Sequence, residues 1–193
     1  MSIRQGLLAL LVEGPHHGYQ LRQVFETRTG STWPLNIGQV YTTLGRLSRD
    51  ELVEATGDGD DSHKLYALTA AGRRAVEEWF ATPVQLPDRP RDELAIKLAL
   101  AAETPGVDLA AVIQAQRTAT VEAMQDYTRL KTEADPAADL GWVLILDSLL
   151  FQAEAEVRWL DACEQRLSRS RPPHEPSRRG SAQMQRGERE VRA

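Results

Sequence analysis

The residues in this chain best placed to do chemistry are Gln39, Thr42, Thr43 and Arg46, spaced i, i+3, i+4 and i+7. On a helix they form one stripe of short hydrogen-bonding side chains with a single guanidinium. That set suits the base edges of a DNA major groove. The opposite stripe, Ile37, Val40, Tyr41, Leu44 and Leu47, is apolar at the same spacing and is expected to pack. Gly38 and Gly45 keep the neighbouring surface low. Interior glycine costs a helix about 1 kcal/mol relative to Ala, so its use fits a surface that another backbone approaches closely. Asn36 is a good N-cap and a second-order phosphate contact through the helix N-terminus. Tyr41 is expected to pack its ring and offer its hydroxyl to a phosphate.

Other chemistries find no residue set. There is no Ser/His/Asp or Cys/His arrangement and no glycine-rich phosphate loop, so an enzyme is not expected. His16 and His17 read as a structural turn, and with His63 and His174 scattered no metal-ligand spacing arises. Asp58, Asp60 and Asp61 are too close together for a calcium loop and lack its terminal Glu. No metal or other cofactor is expected. The single Cys163 cannot form an intramolecular disulfide and fits a reducing cytoplasm. No signal peptide is expected, and no apolar run approaches the ~20 residues of a membrane span.

Elements around the polar stripe must position it. Ser2 and Gln5 match a capping box, and the leucines from Leu7 to Leu11 predict a first helix running to Glu13, stopped by Gly14 and Pro15. A second helix opens at Gly18 and carries Leu21, Val24 and Phe25. A loop over residues 29–34, with Trp33 as a packing anchor, leads to the third helix from Asn36. Residues 52–56 and 63–68 read as two strands joined by turn chemistry at 57–62. Thr69 then caps a helix ended by Thr82 and Pro83. Three helices, a hairpin and a helix make a winged helix-turn-helix, whose third helix enters the major groove.

The stretches 7–11, 14–21, 38–47, 52–53 and 65–73, in that order and at those separations, resemble the PadR family of transcriptional regulators. The resemblance covers residues 3–80. It implies an effector-responsive repressor. Two positions depart from the family pattern. Thr42 stands where the family usually has Pro after the Tyr of the third helix. The wing carries only His63 and Lys64 where one or two Arg or Lys are usual, and three carboxylates precede them. Lys64 is the expected phosphate contact of the wing, against carboxylates that repel the backbone.

Net charge is −5, with seven Arg against three Glu in residues 168–193, which leaves −9 on residues 1–167. Such a body argues against strong non-specific DNA affinity but leaves room for a local basic face. The expected organisation is a DNA-binding winged helix over residues 1–82, a Pro-rich connector over 83–91, a helical dimerisation and effector domain over 92–169, and a disordered basic tail over 170–193. Helices are predicted over 92–102, 108–133 and 138–169. The last carries Val143, Leu146, Leu150, Ala153, Val157, Leu160 and Leu167 at spacings of three and four, a coiled-coil-like seam read as a homodimer contact, with packing on the chain's own helices as the other reading.

The fold class is therefore mainly α with a small β-hairpin wing, an N-terminal winged helix followed by C-terminal helices. The function expected is a dimeric repressor on a pseudo-palindromic double-stranded DNA operator, released by a small planar or apolar effector. Trp79, Trp142 and Trp159 are the aromatic candidates for that effector, with core packing as the other reading. A winged-helix module that binds protein instead of DNA stays open on the charge of the body and wing.

Overall fold

The computed structural model describes residues 3–56, 64–84 and 92–170. The expected cap at Ser2, the acidic turn with His63, residues 85–91 of the connector and the tail from 171 lie outside them. Helix α1 spans Ile3–Leu10 and tightens into a 3-10 turn over Leu11–Glu13. The sequence suggested one helix to Glu13. The tightening comes where Gly14, at φ 141°, donates its N–H to Leu11 O at 3.3 Å and so closes a three-residue turn.

Strand β1 is His16–His17, followed by α2 (Gly18–Arg28), α3 (Ile37–Arg49), β2 (Val53–Thr56), β3 (Leu65–Leu68) and α4 (Ala70–Ala81). The wing is thus a three-stranded antiparallel sheet in the order β1-β3-β2, not a two-stranded hairpin. The two histidines, expected in a turn, add the third strand, with His16 opposite Tyr66 and His17 opposite Leu65. His17 Nδ1 also donates to Lys64 O at 3.1 Å. Strand β2 begins at Val53 because Leu52 is already engaged: its N–H donates to Leu47 O and its carbonyl accepts from Thr69 N.

One core holds these elements together. Leu7, Leu8 and Leu11 from α1 and its turn, Leu21 from α2, and Leu44 and Leu47 from α3 are at most 1% exposed. Burying a leucine of this kind stabilises by about 1.5–3 kcal/mol. Helix α4 closes on the sheet through Gly72: a β-carbon there would come within 2.1 Å of Leu52 O, a backbone atom. Trp33 does not anchor its loop, being 42% exposed.

The second half is α5 (Glu93–Glu103), α6 (Leu109–Glu133) and α7 (Leu140–Ser170). Asp92 and Asp108 cap α5 and α6, accepting from Ala95 N and from Ala110 and Ala111 N. Helix α7 returns antiparallel along α6. Lys131 pairs with Asp147, Thr120 and Gln116 donate to Glu156 at 2.5 and 2.9 Å, and Arg117 bridges Asp161 at 2.9 Å and Glu164 at 2.5 Å. A small core of Leu98, Ile113 and Leu160 joins the three helices, with Trp159 and Cys163 packed against it. Of the seam residues on α7, Leu146 and Leu160 are fully buried, whereas Val143, Leu150, Ala153, Val157 and Leu167 are half-buried.

Gly72→Ala should lower unfolding free energy by at least ~2 kcal/mol in a urea titration, since the clashing atom is backbone and cannot swing away. An unchanged midpoint would show that α4 can lift off β2 at no cost.

Candidate nucleic-acid interface

Helix α3 is fixed from three sides. At its start, Asn36 Oδ1 accepts from Gly38 N at 2.8 Å, the expected cap. Along its length, Val40, Leu44 and Leu47 are completely buried. Across its middle, the Tyr41 ring lies on Gly18, where a β-carbon would come within 2.5 Å of it. Gly18 thus lets α2 and α3 approach, and the ring of Tyr41 packs as expected.

Fixing those residues inward turns the polar stripe outward. Gln39, Thr42 and Arg46 are exposed and Thr43 is half-buried. The threonine hydroxyls donate to carbonyls one turn back, Thr42 to Gly38 O at 2.8 Å and Thr43 to Gln39 O at 2.7 Å. With the hydroxyl hydrogens so used, each side chain offers outward an acceptor oxygen and a methyl group. Such groups accept from the amino groups of adenine or cytosine and touch the thymine methyl. Arg46 forms no ion pair among the described residues, and apart from its chain neighbours and the helix's own backbone nothing lies within 4 Å of where a Gly45 β-carbon would sit.

Arg4, Arg49 and Asp50 at the edge of this face were not anticipated from the sequence. Ile3, Arg4, Gln39, Thr43, Arg46, Arg49 and Asp50 line one open hollow. Arg4 of α1 reaches across to Asp50 at the end of α3, at 3.0 Å, and Arg49 Nε donates to Gly45 O at 3.3 Å. Arg49 was within reach of the pattern, one turn beyond Arg46. Arg4 was not, because only the packing of α1 on α3 brings it there. Lys64 stands apart on the sheet, just before β3 and half-buried.

The loop into α3 is set by Glu26. Its Oε1 accepts from Arg22 Nε at 2.9 Å and from Leu35 N at 3.1 Å. The Arg22 contact, followed by the Leu35 amide, holds the Glu26 carboxyl below its ordinary pKa.

The three tryptophans are not gathered. Trp79 stands exposed on α4, its ring 4.8 Å from Phe80. Trp142, in the first turn of α7, lies over Gly30 of the α2–α3 loop. Trp159 packs on the small core of the second half. Among the described residues no group of three or more His, Cys, Asp or Glu could hold a metal, and no helix is long and apolar enough to cross a membrane.

Comparison with known proteins agrees with this geometry. The Transcriptional regulator PadR-like family matches residues 7–78, and the Virulence activator alpha C-term family matches residues 90–168. A probable transcriptional regulator of Mycobacterium tuberculosis, Rv1176c, is 27% identical over 189 residues, covering 89% of this chain and 100% of that protein. The negative transcriptional regulator PadR of Bacillus subtilis is 25% identical over 171 residues, covering 83% of this chain and 94% of that protein. Crystal structures of Bacillus subtilis PadR share the fold: with p-coumaric acid at TM-score 0.68 and with operator DNA at 0.63, each 20% identical and covering 83% of this chain and 95% of that one.

Because its folded pKa is lowered, Glu26 contributes stability that is complete above the ordinary carboxylate pKa and is lost as pH falls through the lowered value. Denaturation from neutrality down through about pH 4 should show wild type losing stability at the acid end, and Glu26→Gln losing less over the same interval. Parallel curves would remove Glu26 from the control of this loop.

Proposed function

We propose that this chain, which belongs to the PadR-like family of transcriptional regulators, is a dimeric, DNA-binding repressor of a pseudo-palindromic operator. The observation that carries the reading is the outward stripe of α3, Gln39, Thr42, Thr43 and Arg46, backed by a completely buried inner stripe. In the major groove Arg46 would take guanine O6 and N7, Gln39 adenine N6 and N7, and the threonines an amino group or a thymine methyl. Asn36, the Tyr41 hydroxyl, Lys64, Arg4 and Arg49 would hold phosphates and fix register. Bacillus subtilis PadR has been crystallised in complex with operator DNA, which supports the same partner here.

Uncovered apolar stripes support a dimer through the second half. Leu140, Leu144 and Phe151 on α7 are 58–68% exposed and fall on one helical face, and the exposed Ile96 and Leu100 share a face of α5. Contiguous apolar surface of this kind marks a protein interface. The two reading helices would then enter successive major grooves about one turn apart.

A small planar or apolar effector would release the operator by favouring a dimer whose heads no longer match two grooves, which requires unequal affinity for the two forms. p-Coumaric acid, bound by Bacillus subtilis PadR, is of this class. Of the aromatic candidates, Trp142 and Trp159 are taken up by packing on Gly30 and on the small core, which leaves the exposed Trp79. A hollow of about 450 Å³ lined by Leu10, Val12, Val76 and Phe80, and also by Arg28, Arg73, Glu13 and Glu77, is another place of suitable size.

Polarisation binding to the duplex upstream of the protein's own gene should show tight, competitor-resistant binding that weakens with salt. Arg46→Ala and Gln39→Ala should each cost about 10- to 100-fold, the value of a bidentate base contact. Binding untouched by either change would favour the rival, a winged helix that docks on protein.

Gly45→Ala separates reading from folding. With open space around Gly45, the added methyl should stabilise α3 by about 0.5–1 kcal/mol while weakening operator affinity. Unchanged affinity would mean that no DNA backbone or base approaches that face.

A further inference from the structure

We propose that Trp142 is the positioning residue that sets the orientation of each reading head on its helical arm, and through it the half-site spacing the dimer accepts. The proposal rests on the DNA-binding dimer argued above. The major helix pairings fall within α1–α4 or within α5–α7. Trp142 crosses between them. Its ring lies on Gly30 so closely that a β-carbon there would come within 2.4 Å of Cε3. Gly30 and Ser31 both hold positive φ, at 55°, a geometry costly for Ser and free for Gly. The preceding residue, Gly141, brings the start of α7 near Arg28 O, 3.5 Å from an ideal β-carbon.

This contact falls on the loop that feeds α3. Glu26 holds the far side of that loop through Leu35 N, and Arg28 is tied to Glu13 at 2.6 Å. The ring therefore rests on a segment already braced against α1 and α2. At the other end of α7, Leu160 is buried in the core with Leu98 and Ile113. Helix α7 is thus one rigid rod seated in both halves. Its 31 residues span ~46 Å, so a tilt of about 4° at Trp142 moves the far end, toward which Leu98 packs beside Leu160 on the α5 that carries the exposed stripe of Ile96 and Leu100, by ~3 Å relative to the head. That is about the rise of one base pair. A flat indole on a bare glycine backbone fixes tilt as a smaller side chain would not, since the contact spreads over a whole ring face.

Selection from a random duplex library with full-length protein tests this. Wild type should enrich one half-site motif in inverted pairs at one spacing. Trp142→Ala should enrich the same motif at several spacings, and its preference for the wild-type spacing over one altered by two base pairs should fall roughly tenfold. Trp142→Phe, which keeps a ring, should restore most of that preference. If folded Trp142→Ala keeps the wild-type spacing preference, or enriches a different motif or none, the assignment is overturned. Should Trp142→Ala fail to fold, Trp142→Leu, which fills space without a flat ring, decides, broadened spacing supporting the assignment and unchanged spacing overturning it. If wild type enriches no motif, the DNA-binding reading itself fails. If it enriches only single half-sites, the dimer and the spacing role fall together.

Discussion

A helix has two usable faces, and committing one to the core determines the other. In α3 that commitment is complete: Val40, Leu44 and Leu47 are fully excluded from solvent. Everything proposed for the chain depends on this burial. It leaves Gln39, Thr42 and Arg46 outward, and it fixes their rotation to within what close packing tolerates. The cap at Asn36, the Tyr41 ring on Gly18 and the Glu26 contact with Leu35 add the remaining constraints on where the helix starts and how it leans.

The two halves use different physics. The winged helix buries a conventional apolar core, whereas α6 and α7 are joined over much of their length by polar pairs: Lys131 with Asp147, Thr120 and Gln116 with Glu156, Arg117 with Asp161 and Glu164. Half-exposed ion pairs contribute little each. A helix pair stitched in this way, with Leu140, Leu144 and Phe151 still exposed, has unused apolar surface. That is the physical argument for the proposed second copy, and this stripe lies on the first turns of α7, on the part of the rod that carries Trp142.

Much of the architecture was legible because strong periodicity and caps coincide. The inner and outer stripes of α3, its cap at Asn36, the cap at Thr69 and the helices of the second half all follow from local patterns. What escaped was tertiary. The His16–His17 strand exists only because β3 lies beside it, as two residues carry no periodicity. The 3-10 turn at Leu11–Glu13 depends on Gly14 geometry. Arg4 joins the basic edge by packing, and no sequence spacing links it to Asp50. Trp33 looked like an anchor by residue type, yet it is solvent-facing, while Trp142 met Gly30 across more than a hundred residues. The wing tip, with its three aspartates, lies outside the described residues.

The central claim is that α3 reads the major groove, twice per dimer. Methylation interference on the duplex upstream of the protein's own gene tests it most directly, because guanine N7 is exposed only in the major groove and adenine N3 only in the minor. The account predicts guanine N7 interference in two patches whose centres lie about one helical turn, or a whole number of turns, apart. Specific binding with no N7 interference, or with interference confined to adenine N3, would contradict it.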